Sequence, residues 1–499
     1  MVTLLVVLGI AAAAGLLAGA ARNESHRHVV VDGVPLDEVR PSVRATEARR
    51  PGVVVAHGYA GSARLMAPFA DTLVAQGYVV VLLDFAGHGA STRALPDVGD
   101  RSDDASTVLQ HDLDVALTHL RSLPDVDPAR VAVVGHSMGA TAVTRYAAAH
   151  PDVTATVAIS LPDASFVTPE RPHRLLVMVG GLEFAGFRAA AEQAVPPGVR
   201  GRSFVVVPGV EHVSVLYAPR THREAATWLN DSFGETGGGV APPSPLRRPA
   251  AAGLLLLSLL AGMYPLAYLL FGAPSVRGST GTPPITRIVA VAGVASIVGM
   301  LLAPFLPTVR LPLAIGGYVV GFTATTGLVM LAWAHRRRAA PPVEASVGGE
   351  VANPVGGLGR WRLIVAGTVL IPYSAATIVI PLQLALTHAV PVGKRWWLAV
   401  FVWVGLAVLA YAAERTAAGN RLGVLAVSAV AVVALTAAAI VGLTSSFVLL
   451  VVPLLAVLML GQAIWSDVLH RFSAPAGLIA VVGSLLVAWP VAVALPVIG

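Results

Sequence analysis

From Pro249 to Gly499, apolar runs of about 20 residues recur, broken only by short segments carrying Arg or Pro. Wound as helices, runs of that length match the hydrocarbon thickness of a bilayer. The pattern predicts eight spans within residues 249–499, at 249–272, 287–306, 311–334, 363–389, 396–413, 422–442, 445–465 and 475–496. The fourth contains Pro372 and Pro381, which predicts tilt or a kink. A further apolar run at 3–20 makes residues 1–21 either a membrane anchor or a signal segment, and the lack of a basic residue ahead of it favours the anchor. Mean hydropathy of +0.73 with only 12% charged residues agrees with a chain mostly bound for lipid.

Residues 28–233 have a different texture. Short apolar runs at 53–56, 78–84, 130–134, 155–159, 175–179 and 204–207 alternate with helix-like stretches such as 63–76 and 106–123. Continuous β-branched runs alternating with helices predict a mainly parallel sheet covered on both faces. Residues 28–31 and 34–39, joined by Asp32-Gly33, predict an antiparallel hairpin ahead of it. Residues 234–248 are Gly/Pro-rich and read as a linker. The expected architecture is an α/β domain joined to an all-α transmembrane bundle.

The chain has no cysteine, which excludes disulfides and thiolate metal sites. Its pI near 9.9 does not indicate nucleic acid, because many Arg, such as Arg336, Arg337, Arg338, Arg360 and Arg362, flank the spans and suit lipid headgroups. With residues 28–233 placed outside, the inner connections hold ten Arg and the outer ones five Arg or Lys, so the positive-inside rule predicts an exoplasmic domain on a plasma membrane of bacterial type.

Reactive groups in such sheets sit at the carboxyl ends of strands. There the run 130–134 enters Gly135-His136-Ser137-Met138-Gly139. The bare G-x-S-x-G pattern is weak in a chain with 49 glycines, so its setting must decide. Ser137 follows a strand and precedes a helix, as a nucleophile on a tight turn requires. A serine hydroxyl needs a base, and His212 follows the last strand in that role. The imidazole needs an acid, and Glu183 follows the strand before it. Asp163 is the alternative acid. The amides of Tyr59 and Met138 are the natural donors to an oxyanion. His57 and His88 read as structural loop histidines, and His136 as support for the turn.

The motifs HGYAG (57–61), DFAGHGAS (84–91), DVDPARVAVVGHSMGA (125–140), GGLE (180–183) and GVEH (209–212) follow one another in order. Together they resemble the α/β-hydrolases, in particular the serine aminopeptidase/monoacylglycerol-lipase-like and dienelactone-hydrolase-like groups. The resemblance covers residues 28–233 and does not extend to the spans. It implies hydrolysis of an ester, thioester or amide through an acyl-enzyme, with neither cofactor nor metal; the attached spans alone add the expectation of an acyl ester or lipid-like substrate delivered from the membrane. Two departures stand out: Glu replaces the commoner Asp at the acid position, and residues 161–174 leave room for only a minimal cap, which predicts an open site. Acyl transfer to an acceptor other than water would use the same acyl-enzyme. A transporter or scaffold with a hydrolase-like binding domain is the alternative from another class.

Overall fold

A computed structural model describes residues 1–18, 24–42, 49–96, 102–235, 242–274, 282–339 and 360–499. Residues 236–241 of the expected linker, and Arg277, lie outside the described residues. The strands are β1 (Glu24–Val31), β2 (Val34–Pro41), β3 (Arg50–Ala56), β4 (Val79–Leu83), β5 (Val126–His136), β6 (Ala155–Ile159), β7 (Leu175–Gly180) and β8 (Arg202–Val207). The helices before residue 240 are α1 (Val2–Ala18), α2 (Ala63–Ala75), α3 (Ser102–Ser122), α4 (Met138–Ala149), α5 (Ala185–Ala194) and α6 (Pro219–Phe233). Those after it are α7 (Arg247–Phe271), α8 (Ile285–Leu302), α9 (Gly316–Ala339), α10 (Arg360–Ala385), α11 (Arg395–Ala417), α12 (Gly423–Ile440), α13 (Val448–Arg471) and α14 (Ala476–Ala494). The chain forms two compact units. One is mixed, with Ile10–Leu254, Pro381–Lys394 and Val493–Gly499; the other is helical.

The mixed unit holds one eight-stranded sheet in the order β1-β2-β4-β3-β5-β6-β7-β8. β1 pairs with β2, and β2 with β4, antiparallel; every other pairing is parallel. Asp32 and Gly33 take φ of 46° and 74°, the left-handed pair that closes a two-residue hairpin between β1 and β2. Side chains alternate between faces along each strand. Val53, Val55, Ala132 and Val134 bury against Met66, Phe69 and Leu73 of α2 and Leu229 of α6. Val54, Ala56, Val131 and Val133 bury against Leu113 and Leu117 of α3 and Val143 of α4. Two buried faces explain why β3 to β7 read as unbroken apolar runs. This is the α/β-hydrolase fold, and between β6 and β7 only turns intervene, as the short segment predicted.

The helical unit bears out the eight expected spans: α7 to α14 are each long and apolar enough to cross a membrane. They mark an integral membrane protein. Leu257, Val294, Ile297, Val433 and Ile440 are more than half exposed on the helix surfaces, as lipid-facing side chains are. Polar ties run between helices instead: Trp465 Nε1 donates to the Leu260 carbonyl at 3.0 Å, Tyr373 to Leu259 at 2.7 Å and Ser374 to Val482 at 2.7 Å. Glu414 lies near the end of α11 and is buried. It accepts from Ser466 at 2.6 Å and pairs with His470 Nε2 at 2.6 Å, joining α11 to α13. The first half of α1, up to Gly9, groups with the packed helices: a Cβ at Gly9 would stand 2.1 Å from Ser258 Oγ of α7.

Candidate active site

Ser137 sits between β5 and α4 with φ 54° and ψ −119°, a conformation rarely adopted outside glycine. Gly135 and Gly139, two residues to either side, are glycines because the turn leaves no room there. A Cβ at Gly135 would lie 2.3 Å from the Gly139 carbonyl oxygen, and one at Gly139 would lie 2.5 Å from that of His57. The strain pushes the hydroxyl out at the carboxyl end of the sheet.

His212, in the loop after β8, brings Nε2 to 3.1 Å from Ser137 Oγ. Its Nδ1 is 3.4 Å from Glu183 Oε2, at the long limit for a hydrogen bond. Glu183 follows β7, and its other oxygen accepts from the Gly180 amide at 2.9 Å and from the Ser160 hydroxyl at 2.6 Å. Asp163 is engaged elsewhere, accepting from the amide and hydroxyl of Ser165. Three residues named from sequence, on three loops and up to 75 positions apart, therefore meet.

The loop after β3 runs directly against the nucleophile. A Cβ at Gly58 would lie 3.0 Å from that of Ser137, which explains a glycine before Tyr59. Met138 opens α4, so its amide is one of the helix's unsatisfied donors.

His136 is fully buried, and burial together with the neighbouring His212 lowers its pKa to about 3. Kept neutral, it donates from Nε2 to the His212 carbonyl at 2.9 Å, with the two rings 4.8 Å apart. It supports the base's backbone as well as the turn. His57 is likewise kept neutral by burial; it accepts from the Phe85 amide at Nε2 (3.1 Å) and donates from Nδ1 to the Gly58 carbonyl (2.8 Å). Burial pushes the Glu211 carboxyl up, but the amides of Val213 and Ser214 more than offset this and hold it below its usual range.

Two members of the site carry no motif. Ser160 at the end of β6 takes φ 55°, which turns its hydroxyl onto Glu183, and Phe187 of α5 packs 4.7 Å from the His212 ring. No signal in the sequence marks either. The cavity of about 260 Å³ lined by Arg27, Asp37, Arg64, Asp71 and Arg248 includes none of these residues. Among the described residues no three His, Asp or Glu side chains are placed to hold a metal ion.

Residues 47–178 match the serine aminopeptidase (S33) family, a stretch that includes Ser137 and ends before Glu183 and His212. An uncharacterized protein of Mycobacterium tuberculosis is 28% identical over 185 residues, 32% of this chain and 63% of that one. The chain thus spans less than two thirds of this relative's length. Cutinase 1 of Thermobifida cellulosilytica is 30% identical over 108 residues, 22% of this chain and 38% of its own. An esterase structure from Pyrococcus furiosus aligns with 44% of this chain and 96% of its own, at 17% identity and a TM-score of 0.35. The mixed unit is a hydrolase-type domain.

Proposed function

We propose that the protein is a membrane-anchored serine hydrolase that cleaves a carboxylic ester, or the corresponding thioester or amide, through an acyl-enzyme. Ser137 Oγ attacks the carbonyl carbon while His212 Nε2 takes its proton. Glu183 holds the Nδ1–H and stabilises the imidazolium. The amides of Tyr59 and Met138 donate to the developing oxyanion. The C–O bond then breaks, and His212 returns the proton to the leaving alcohol. Water, deprotonated by His212, attacks acyl-Ser137, and the acid departs as Ser137 is restored. The observation that carries this reading is the line of contacts from the strained Ser137 through His212 to Glu183, at 3.1 and 3.4 Å. The likeness to a cutinase supports an ester as the substrate. The Arg asymmetry of the connections supports an exoplasmic site.

The purified full chain in detergent should hydrolyse p-nitrophenyl esters. Ser137→Ala should reduce the rate by at least about 10³-fold. Undiminished hydrolysis by folded Ser137→Ala protein would refute the reading.

A further inference from the structure

The hydrolase unit is completed by chain from beyond its own sequence region. Val493–Gly499 and Pro381–Lys394 both belong to it. The chain end lies along the loop after β4. The Val497 amide donates to the Gly87 carbonyl at 2.8 Å, the Leu95 amide to Val497 at 2.9 Å, and the Gly499 amide to Leu95 at 3.1 Å. Gly87 has φ 77°, and a Cβ there would lie 2.5 Å from the Val497 oxygen, so this loop is shaped to receive the tail. The same loop carries His88, whose ring packs 5.6 Å from Tyr59.

Pro381–Lys394 is held by the two loops that border the nucleophile. The Leu386 carbonyl accepts from the Ser62 hydroxyl at 3.1 Å, and the Ala385 carbonyl from the Tyr217 hydroxyl at 3.4 Å. Ser62 follows Tyr59 in the loop after β3, and Tyr217 follows His212 in the loop after β8. Adjacent carbonyls are thus held by both loops that border Ser137. The segment has its own bracing: Leu386 and Thr387 amides donate to the Leu382 carbonyl at 2.9 and 3.0 Å, and the Ala389 amide to Gln383 Oε1 at 2.8 Å. Its side chains are mostly apolar, with Leu384 and Leu386 left half-buried.

Membrane crossing leads to the same place by a separate route. Four spans separate Arg247 from Pro381–Lys394, and eight separate it from Val493–Gly499. Even numbers of crossings return the chain to the side from which α7 enters. If all eight helices cross, both segments return to the side from which α7 enters.

We propose that Pro381–Lys394 is the acyl-chain wall of the Ser137 site, selecting esters whose acyl chain is apolar and long enough to reach Leu384 and Leu386. The proposal rests on the Ser137 reading. It makes the expected open site a covered one, with its cover drawn from the end of α10 and the connection that follows it. Burying successive methylenes against such a wall should raise kcat/KM about threefold per methylene until the wall is filled.

The absence of cysteine makes this directly testable, because Leu384→Cys and Leu386→Cys each introduce a single thiol. Full-length variants in detergent would be reacted with a dodecyl or a methyl fluorophosphonate and then with a maleimide. The dodecyl adduct should slow thiol modification at least tenfold relative to the methyl adduct at one or both positions, and leave a Ser25→Cys control on β1 unaffected. Equal rates with the two adducts at both positions would overturn the wall. If neither probe reacts with the folded wild type, the Ser137 reading itself falls, and the wall with it. Independently, Tyr217→Phe removes only the hydroxyl on Ala385. It should lower kcat/KM for a dodecanoate ester at least threefold more than for an acetate ester; an equal loss on both would contradict the proposal.

Discussion

In the mixed unit Ser137, Ser160, Glu183 and His212 come from four separate loops and meet at one point, whereas in the helical unit Glu414, Ser466 and His470 come from two helices and join them. The backbone follows the same division. Left-handed φ at Ala60, Ser137 and Ser160 occurs just after strands β3, β5 and β6, where it aims loops and side chains. In the helical unit Ile315, Ala418 and Ser473 take such φ beside helix ends, where they only turn the chain. A sheet with open carboxyl ends can gather groups from distant loops at little cost in buried backbone. Helices in lipid must satisfy every backbone group internally, so their polar side chains serve to tie neighbours.

The largest expected effect breaks the convergence at its acid. Glu183→Gln should lower kcat by about 10²- to 10⁴-fold with the fold intact, while Asp163→Asn stays within about twofold of wild type. Steady-state kinetics on the two variants decide it, and the reverse ranking would move the acid to Asp163. Next comes packing. Gly135→Ala forces a Cβ against the Gly139 carbonyl and should cost about 3 kcal/mol, whereas Gly253→Ala on α7, with nothing within 4 Å, should be neutral or slightly stabilising by thermal unfolding.

A charge comparison follows at similar size. Asp71 of α2 is buried and accepts from both Arg247 and Arg248 at the start of α7, at 2.7 to 2.9 Å. Asp71→Asn should destabilise by about 3 kcal/mol, because two arginines lose their counter-charge out of water. Asp467→Asn, which removes an exposed pair with Arg471 one turn away on α13, should cost no more than about 0.5 kcal/mol. Acid should also distinguish the units. His136 and His222 are buried with pKa values lowered to about 3 and about 4, against an ordinary 6.5. Below pH 6.5 the unfolded chain takes up protons that the folded one refuses. Stability is therefore complete above pH 6.5 and falls as pH drops toward these lower values. By pH 5 each such histidine costs about 2 kcal/mol. His136→Asn should flatten the acid limb of the unfolding midpoint by that amount.

The architecture was legible because each signal is local. Apolar runs of span length gave the eight helices, and alternation of short β-branched runs with helices gave the doubly covered sheet. That Ser137, Glu183 and His212 would come together was legible because each lies within five residues of a strand's carboxyl end. Ser160 was not, because its role depends on a left-handed turn that brings it to a carboxylate 23 residues away. The Glu414–His470 pair spans 56 residues, so a reading of Glu414 by position alone gives its depth and misses its partner. The contribution of Pro381–Lys394 was equally hidden, since Ser62 and Leu386 are 324 residues apart.

The most direct test of the central claim is to map where a fluorophosphonate attaches to the full-length protein by peptide mass spectrometry. The account predicts one adduct, on Ser137, formed far more slowly in His212→Ala protein. An adduct on another residue, or none on folded protein, would contradict it.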